Sequence, residues 1–444
     1  YINCISKSNF IYFFFSIPDE NISNKLLKKT CGNRNNYIDK VLNGVMLYKY
    51  DFTNNKLIFK NNIIKNEPSL SYCFCPVLDN NNNIKILTGC LANSRFPIYN
   101  IHNDCLKCSE FHNYSEFYDN VCPGKKLFIS NSKKFNPCYT NGLYLFNFDE
   151  KNNNIKLDLK KPVITLKSPH NCNYSSEHNM SLIHDKKLDK FFVFIRNNLA
   201  PGIRHVNFSS SKDLINWDSF NMINVKDFNM KSENIYYPSI FKYYNYFISL
   251  SLNGHYNKKL KSYDGWEFLS ILTMISEDGN NWEKVGNNFI VLDNKNNNKK
   301  IDISDIYKKY VININLTEKF EEIYFVKDYF SKEKIINISK QIIRKHSIFY
   351  LTNTDYNKES YIITNSLNID KNFSYKFTLN CKIYLNGYVK IFIINDNENL
   401  ISTIKGEFDN ENYILNLDKS LNFKNNIKVK IIFFKSNIYS ISLD

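Results

Sequence analysis

Ser211-Lys-Asp213-Leu-Ile-Asn-Trp217 decides the fold, because its pattern returns in Ser276-Glu-Asp278-Gly-Asn-Asn-Trp282. In both stretches a Ser is followed by an Asp and then by a Trp at the same spacing. Asp with Asn or Gly close behind is typical of a tight turn, which makes Asp213 and Asp278 structural residues. The Trp after the turn begins the next strand and fills space between neighbouring sheets. Repetition of such a turn predicts a β-propeller.

Each turn follows a predicted β-hairpin. Residues 179–195 precede the first turn and residues 237–250 the second, each with two short apolar or aromatic strands around a polar turn. One unit therefore holds four strands, which is one propeller blade. About five such hairpins between residues 65 and 340 predict five blades. The sequence leaves open a pair of unrelated surface hairpins, since Ser-x-Asp turns are common.

The composition favours an all-β protein. The 444 residues include 35 Phe and 31 Tyr but only 12 Gly, and amphipathic helical stretches are scarce. The net charge is +15 and the isoelectric point about 9.0, but the lysines are scattered and usually stand beside asparagines. Such a composition is typical of an AT-rich genome. We therefore expect no nucleic-acid partner and favour a glycan or a surface protein.

Most of the 11 cysteines lie before residue 173. This region contains Cys4, Cys31, Cys73, Cys75, Cys90, Cys105, Cys108, Cys122, Cys138 and Cys172. A dense, even-numbered set predicts disulfides in an oxidising compartment. The alternative is a zinc site at Cys105-x-x-Cys108, but no second motif completes it, so we predict no metal and no cofactor. Cys381 lies in an alternating apolar strand and is expected to be a buried free thiol.

The C-terminal part of the chain differs from the rest in its predicted strands. From about residue 341 the strands lengthen, and alternating apolar residues in 388–394 and 427–434 predict an antiparallel β-sandwich. We therefore expect a propeller over residues 1–340, with a disulfide-rich insertion at about 91–140, and a sandwich over 341–444. No apolar run reaches the length of a membrane span. The chain starts at Tyr1, and we expect a mature, secreted or cell-surface protein.

Residues 170–340 resemble the five-bladed propellers of glycoside hydrolase families 32 and 43. The resemblance is carried by Asn179-Met180, the run from Ile203 to Ser211, Ile235-Tyr-Tyr and the second Ser-Asp-Trp stretch. Residues 429–440 are similar to the last strands of the sandwich that follows the propeller in those families. The resemblance implies a five-bladed β-propeller followed by an antiparallel β-sandwich.

The resemblance also indicates where a sugar site would lie. Those families use two carboxylates across the sugar, one as proton donor and one as nucleophile or base. Where they have Arg-Asp-Pro, this chain has His178-Asn179-Met180, and where they have an acid before Cys-Pro it has Tyr236-Tyr237-Pro238. An amide cannot transfer the proton, and tyrosine is a weak acid for this role. Glu177 and Glu233 are the candidate catalytic replacements, with solvated loop carboxylates as the alternative.

The candidate substrate-binding residues are His178, Asn179, Arg196, Arg204, Tyr236 and Tyr237. The two arginines offer forked donors for sugar hydroxyls or acidic groups, and the alternative is an ordinary position at a strand edge. Ser211 and Ser276 are not nucleophiles because neither has an adjacent His supported by an acid. His205 is expected to be a packing residue.

Three functions are consistent with the sequence. The first is a secreted propeller, similar to glycoside hydrolases, that binds a carbohydrate or a surface protein without standard glycosidase activity. The second is an active furanosidase-type glycoside hydrolase. The third is a structural or adhesive component of a surface complex, with the cysteine-rich insertion as the contact.

Overall fold

The computed structural model describes eighteen segments of the chain. They are residues 2–18, 42–65, 73–90, 142–158, 162–164, 180–200, 203–229, 233–256, 266–285, 310–316, 320–327, 337–344, 351–352, 357–364, 366–368, 375–395, 397–417 and 426–443. Every regular element in these segments is a β-strand, which confirms the prediction of an all-β protein. The predicted insertion at residues 91–140 lies outside the described residues.

The chain divides into two compact units. Unit 1 comprises Tyr1–Ile314 and Tyr324–Ser339, and unit 2 comprises Asn315–Ile323 and Lys340–Asp444.

Five sheets follow one another along the chain, each formed by strands that are consecutive in sequence. The first sheet contains β1 (Ile2–Lys7), β2 (Phe10–Pro18), β3 (Leu42–Asp51) and β4 (Lys56–Lys65). The second contains β5 (Cys73–Leu78), β6 (Ile84–Cys90), β7 (Gly142–Asp149) and β8 (Asn154–Leu157). The third contains β9 (Met180–Asp185), β10 (Lys190–Ala200), β11 (Ile203–Ser211) and β12 (Asn221–Met222).

The fourth sheet contains β14 (Ile235–Tyr237), β15 (Ile240–Tyr243), β16 (Tyr246–Tyr256), β17 (Trp266–Ser276) and β18 (Asn281–Lys284). A short strand before it, β13 (Asn224–Val225), adds to its outer edge by pairing parallel to β18. The fifth contains β19 (Tyr310–Leu316), β20 (Phe320–Lys327) and β21 (Asn337–Arg344).

Aspartates close several of the hairpins in these sheets. The carboxylate of Asp51 accepts hydrogen bonds from the backbone amides of Thr53 and Asn54, and Asn55 then adopts a φ of 50°. The same arrangement recurs at Asp149 and Asp185, whereas Asp79 accepts the amides of Asn81 and Asn83. Asn and Asp tolerate the left-handed conformation that such turns require. The Asn-rich stretches of the sequence therefore supply turns.

The first four sheets, together with the part of the fifth that belongs to unit 1, pack in a closed order. Apolar clusters join the first sheet to the second, the second to the third and the third to the fourth. The hydroxyl of Ser239 in the fourth sheet donates to the carbonyl of Val311 in the fifth at 3.0 Å. The last contact is between Phe13 of β2 and Tyr324 of β20, whose ring centroids lie 6.4 Å apart. This closed order is the arrangement of a five-bladed propeller and confirms the predicted fold class.

The first Ser-Asp-Trp turn is held by its own side chains. The Ser211 hydroxyl accepts the Leu214 amide at 3.0 Å, and Asp213 accepts the Asn216 amide at 2.7 Å. The indole N–H of Trp217 donates to the carbonyl of Leu214 at 3.0 Å, and Leu214 has a φ of 64°. Burial raises the pKa of Asp213, but hydrogen bonds from the amides and side chains around it outweigh this effect, so the net pKa is lowered.

The second turn repeats this geometry. The Ser276 hydroxyl accepts the Gly279 amide at 2.9 Å, Asp278 accepts the Asn281 amide at 2.8 Å, and the indole of Trp282 donates to the Gly279 carbonyl at 2.8 Å. Gly279 has a φ of 79°, in the place of Leu214. The pKa of Asp278 is likewise lowered, since its hydrogen bonds outweigh the effect of burial.

The two tryptophans occupy equivalent places. Trp217 lies in the cluster that joins the second and third sheets, and Trp282 in the cluster that joins the third and fourth. Trp282 packs edge-on against Phe194 of β10, with centroids 6.0 Å apart. Each indole therefore fills the space between its own blade and the preceding one, and the alternative of two unrelated surface hairpins is wrong.

Unit 2 is a β-sandwich built on two long strands. Its strands are β22 (Leu351–Thr352), β23 (Ser360–Ile363), β24 (Leu367–Asn368), β25 (Tyr375–Ile394), β26 (Glu398–Lys405), β27 (Phe408–Leu417) and β28 (Asn426–Leu443). The first half of β25 pairs with β27 and the second half with β26, while β28 follows both halves. Inward-facing side chains of both halves of β25 and of β28, among them Leu379, Ile391 and Ile431, form one buried core.

The bonding state of the described cysteines differs in part from the predicted disulfides. Cys4 is a buried thiol rather than half of a disulfide, because it faces the apolar cluster between the first and fifth sheets. Burial raises the pKa of its thiol far above the ordinary value. The thiol of Cys75 donates to the carbonyl of Met180 at 3.2 Å, and Cys381 is buried in the sandwich core. The side chains of the other eight cysteines lie outside the described residues.

Candidate functional site

The inner strands of unit 1 surround a cavity. Strands β1, β5, β9, β15 and β19, which each come early in their sheets, all contribute to its wall, and its volume is about 300 Å³. This volume lies at the lower end of the roughly 300–1,000 Å³ of ligand pockets. The polar residues of the wall are Asn3, Ser181, His184, Lys186, Lys242 and Asn313. The cavity is the candidate functional site.

Some of these polar groups also tie the inner strands together. The side-chain amide of Asn3 donates to the carbonyl of Phe74 at 2.8 Å. The hydroxyl of Ser181 donates to the carbonyl of Pro238 at 3.2 Å and accepts the amide of Ile240 at 3.0 Å. These bonds fix the positions of the wall residues, so the polar surface of the cavity is preformed.

The described wall of the cavity contains no Asp or Glu side chain. Asp185 follows the wall on β9, but its carboxylate is buried and bonds the ammonium of Lys242. Burial raises the pKa of Asp185, whereas the Lys242 ammonium and the backbone amides lower it more, so the net pKa is lowered. Asp185 is therefore ionised and already paired, and it cannot serve as a general acid.

His184 is the titratable ring in this wall. It stacks on Phe191 with centroids 4.3 Å apart, and neither ring nitrogen forms a hydrogen bond of good geometry. Burial and the nearby Lys186 lower its pKa, while weaker contributions from Asp189, the backbone of Leu78 and Asp185 oppose them. The imidazole is therefore neutral near pH 7, and both of its ring nitrogens are buried beside the cavity wall.

Several predicted site residues lie outside what the structure describes. Glu177, His178 and Asn179 stand immediately before β9 and are outside the described residues. The backbones of Tyr236 and Tyr237 belong to β14, but their side chains are outside the described part. Their sequence positions put them before or within the inner strands of the third and fourth sheets.

The two predicted arginines lie in neighbouring strands of the third sheet. Arg196 on β10 is 2% exposed, so it is an interior residue rather than a strand-edge one. The backbone amide of Arg204 on β11 donates to the side-chain carbonyl of Asn234 at 2.6 Å. The amide of Asn234 in turn donates to the Asn253 side chain at 3.1 Å. The structure therefore brings Arg204 to the start of the fourth sheet through Asn234, a residue that the sequence reasoning missed.

Glu233 is occupied by local contacts. Its carboxylate pairs with the ammonium of Lys284 at 3.1 and 3.2 Å and accepts the amide of Asn229 at 2.9 Å. It is not among the residues that line the cavity. Near it, His205 is 1% exposed and packs edge-on against Phe228, as expected of a packing residue.

No part of the described chain forms a helix that is long and apolar enough to cross a membrane. Within the same residues, no group of three or more His, Cys, Asp or Glu side chains is placed to hold a metal ion.

Comparison with known proteins gave matches only among solved structures. No family model matches the chain, and no curated protein does. A glycoside hydrolase family 43 arabinoxylan arabinofuranohydrolase from Bacillus subtilis is similar, with 8% identity and a TM-score of 0.40 over 100% of this chain and 94% of that one. An exo-β-1,3-galactanase from Phanerochaete chrysosporium gives 7% identity and a TM-score of 0.41 over 99% and 95%.

A protein of unknown function from Dyadobacter fermentans gives 12% identity and a TM-score of 0.40, over 77% of this chain and 79% of that one. Similarities at these scores carry no argument about activity. The propeller assignment rests on the pairing and packing of this chain's own strands.

Proposed function

We propose that this chain is a secreted binding protein whose propeller holds a carbohydrate in the cavity of unit 1. It does not cleave glycosidic bonds by the two-carboxylate mechanism. The observation that carries this proposal is the wall itself, which is lined by residues with amide, hydroxyl and ammonium groups but by no carboxylate in its described part. Hydrolysis by the usual route needs two carboxyl groups about 5–10 Å apart across the sugar.

Several features support a sugar as the ligand. Amides, hydroxyls and ammonium groups are the hydrogen-bonding partners that sugar hydroxyls need, and a few such groups on a preformed apolar wall are typical of small-molecule sites. The cavity volume suits one small unit rather than a long oligomer. The resemblance of residues 170–340 to the propellers of glycoside hydrolase families 32 and 43 favours the same ligand class.

The contacts of Glu233 support binding without hydrolysis. The carboxylate is already engaged by the Lys284 ammonium at 3.1 Å and by the Asn229 amide, and it does not line the cavity. Glu177 alone cannot supply both the acid and the base. A protein that retains the pocket without the carboxylate pair can still bind a sugar, because affinity and bond cleavage depend on different groups.

Calorimetric titration of the full chain with a panel of furanosyl and pyranosyl oligosaccharides tests the proposal. Lys186→Met removes one cationic donor from the wall, and Lys187→Met is the matched control, since Lys187 does not line the cavity. We expect binding of at least one sugar that weakens about five-fold or more in Lys186→Met and is unchanged in Lys187→Met. Equal affinity of both variants, or no binding to any sugar, would overturn the proposal.

The secreted location rests on the cysteines outside the described residues. Those between residues 91 and 140 are dense enough to form disulfides, and disulfides persist in oxidising compartments. Alkylation of the denatured, unreduced protein followed by peptide mass spectrometry should find Cys4 alkylated and the cysteines of 91–140 protected. Full alkylation of all 11 cysteines would contradict a disulfide-bonded, secreted protein.

A further inference from the structure

The outer face of one sandwich layer in unit 2 carries aligned aromatic and basic side chains. It is formed by β23, the second half of β25, β26 and the first half of β28. Inward residues such as Ile391 and Val429 are buried in the core, so their strand neighbours point outward. We call the outward set the lysine–aromatic face: Tyr361, Tyr388, Lys390, Phe392, Lys428 and Lys430.

Cation–π contacts hold this face in order. The ammonium of Lys430 lies 5.6 Å from the ring centroid of Tyr361 and 5.8 Å from that of Phe392. The ammonium of Lys390 lies 4.7 Å from the centroid of Tyr388. Such contacts attract the ammonium groups to the ring faces and restrict the long lysine side chains. The face is therefore preorganised.

Acidic residues at the margin neutralise only part of its charge. Glu398 pairs with Lys430 at 2.9 Å, and Glu359 pairs with Lys390 at 3.5 Å. Lys428 on β28 and Lys405 on β26 are exposed and form no ion pair with any residue that the structure describes; Lys428 lies opposite Ile394 and Lys405 opposite Tyr388, at the two ends of the second half of β25. The face therefore keeps a net positive charge.

The same face exposes apolar surface. Tyr361 and Ile363 on β23 are 66% and 47% exposed, and Leu400 on β26, at the opposite edge of the layer, is 55% exposed. Exposed apolar residues grouped on one strand, as Tyr361 and Ile363 are, mark an interaction site more often than an isolated exposed residue does. Positive charge combined with an aromatic platform is complementary to a ligand that has both carboxylates and a weakly polar ring face.

We propose that the lysine–aromatic face binds an acidic polysaccharide, namely a uronate polymer. The C–H bonds of a sugar ring present positive hydrogens to the negative face of Tyr361, and the carboxylates lie near Lys428 and Lys405. An extended sheet face suits a polymer lying across the strands, whereas a single sugar would find no enclosure there. This site lies in unit 2 and does not rest on the proposed function of the propeller.

Single-stranded nucleic acid fits the face less well. Proteins that bind it stack successive bases on several exposed aromatic rings. On this face Tyr361 is largely exposed, whereas Phe392 and Tyr388 are partly covered by the lysines packed over them. One accessible ring with spaced ammonium groups favours a sugar chain.

Binding of the full chain to polygalacturonate, measured by biolayer interferometry at low salt, tests the inference. Fully methyl-esterified polygalacturonate is the matched neutral polymer. Tyr361→Ala and Lys428→Gln should each weaken binding about five-fold, and the esterified polymer should bind at least ten-fold more weakly. Lys382→Gln is the control variant, because Lys382 also packs over a tyrosine, Tyr384, but lies on the first half of β25.

Thermal denaturation curves of the variants should match that of the wild type, since the substituted side chains are on the surface. Equal binding of the esterified polymer, or undetectable binding of the acidic one, would overturn the inference. So would an equal loss in Lys382→Gln. Tighter binding of single-stranded DNA with the same sensitivity to Tyr361→Ala would instead identify a nucleic-acid face and also overturn it.

Discussion

Replacing Gly279 with Ala should destabilise unit 1 through two separable effects. The φ of 79° lies in the left-handed region, where an L residue costs about 1–2 kcal/mol. The added Cβ would also lie 3.2 Å from Cζ of Phe194 and 3.6 Å from Cε2 of Phe247, both in the packed space between blades. Overpacking of this kind costs about 1–3 kcal/mol. We therefore expect a loss of roughly 2–5 kcal/mol in the free energy of unfolding.

Urea unfolding followed by tryptophan fluorescence measures this loss, because all three tryptophans of the chain belong to unit 1. Gly406→Ala is the matched control. Gly406 has a φ of 84°, but its added Cβ would meet no atom within 4 Å. Far-UV circular dichroism should therefore show only the backbone cost of about 1–2 kcal/mol for this variant.

Making Gly279→Ala in a Phe194→Leu variant separates the cost of overpacking from the cost of backbone strain. In Phe194→Leu the ring that Cβ would approach is absent, so Gly279→Ala should then cost about as much as Gly406→Ala. If Gly279→Ala lowers the free energy of unfolding by no more than Gly406→Ala does in the wild-type background, the second turn does not pack against the preceding blade as described.

Three further outcomes follow from the structure. Asp213→Ala and Asp278→Ala should each lower the free energy of unfolding by about 1–2 kcal/mol at pH 7. Because the pKa values of both carboxyl groups are lowered in the folded state, the wild type should lose this stability as the pH falls below about 3.8. Urea unfolding midpoints measured as a function of pH test both expectations. Gly387→Ala should lower the melting temperature of unit 2, because its Cβ would lie 2.7 Å from the carbonyl oxygen of Phe434, whereas an unchanged temperature would contradict that close approach. His184 binds protons less well when folded, so wild-type stability should fall as pH drops below about 6.5, and His184→Leu should reduce that loss.

The local parts of the fold could be predicted from the sequence. The two Ser-Asp-Trp turns are closed by contacts between residues at most a few positions apart, so their geometry is encoded locally. Alternation along residues 388–394 likewise identified one buried face of the sandwich, since the side-chain period of a strand is two.

The candidate site could not be predicted to the same degree, because it depends on contacts between distant residues. Lys284, which pairs with Glu233, is 51 positions away along the chain. Arg196 is an interior residue because neighbouring sheets pack around it, and the sequence of its own strand does not indicate this burial. The wall of the cavity comes from five separate sheets, so the absence of a carboxylate from its described part is visible only when those strands are brought together.

The central claim is that the propeller binds a sugar without the two-carboxylate chemistry. The most direct measurement is turnover of aryl furanosides and pyranosides by the purified chain, with Glu177→Gln and Glu233→Gln beside the wild type. We expect rates no higher than that of the uncatalysed reaction for all three proteins. Turnover by the wild type that Glu233→Gln abolishes, without a change in folding, would show an active glycosidase and contradict the claim.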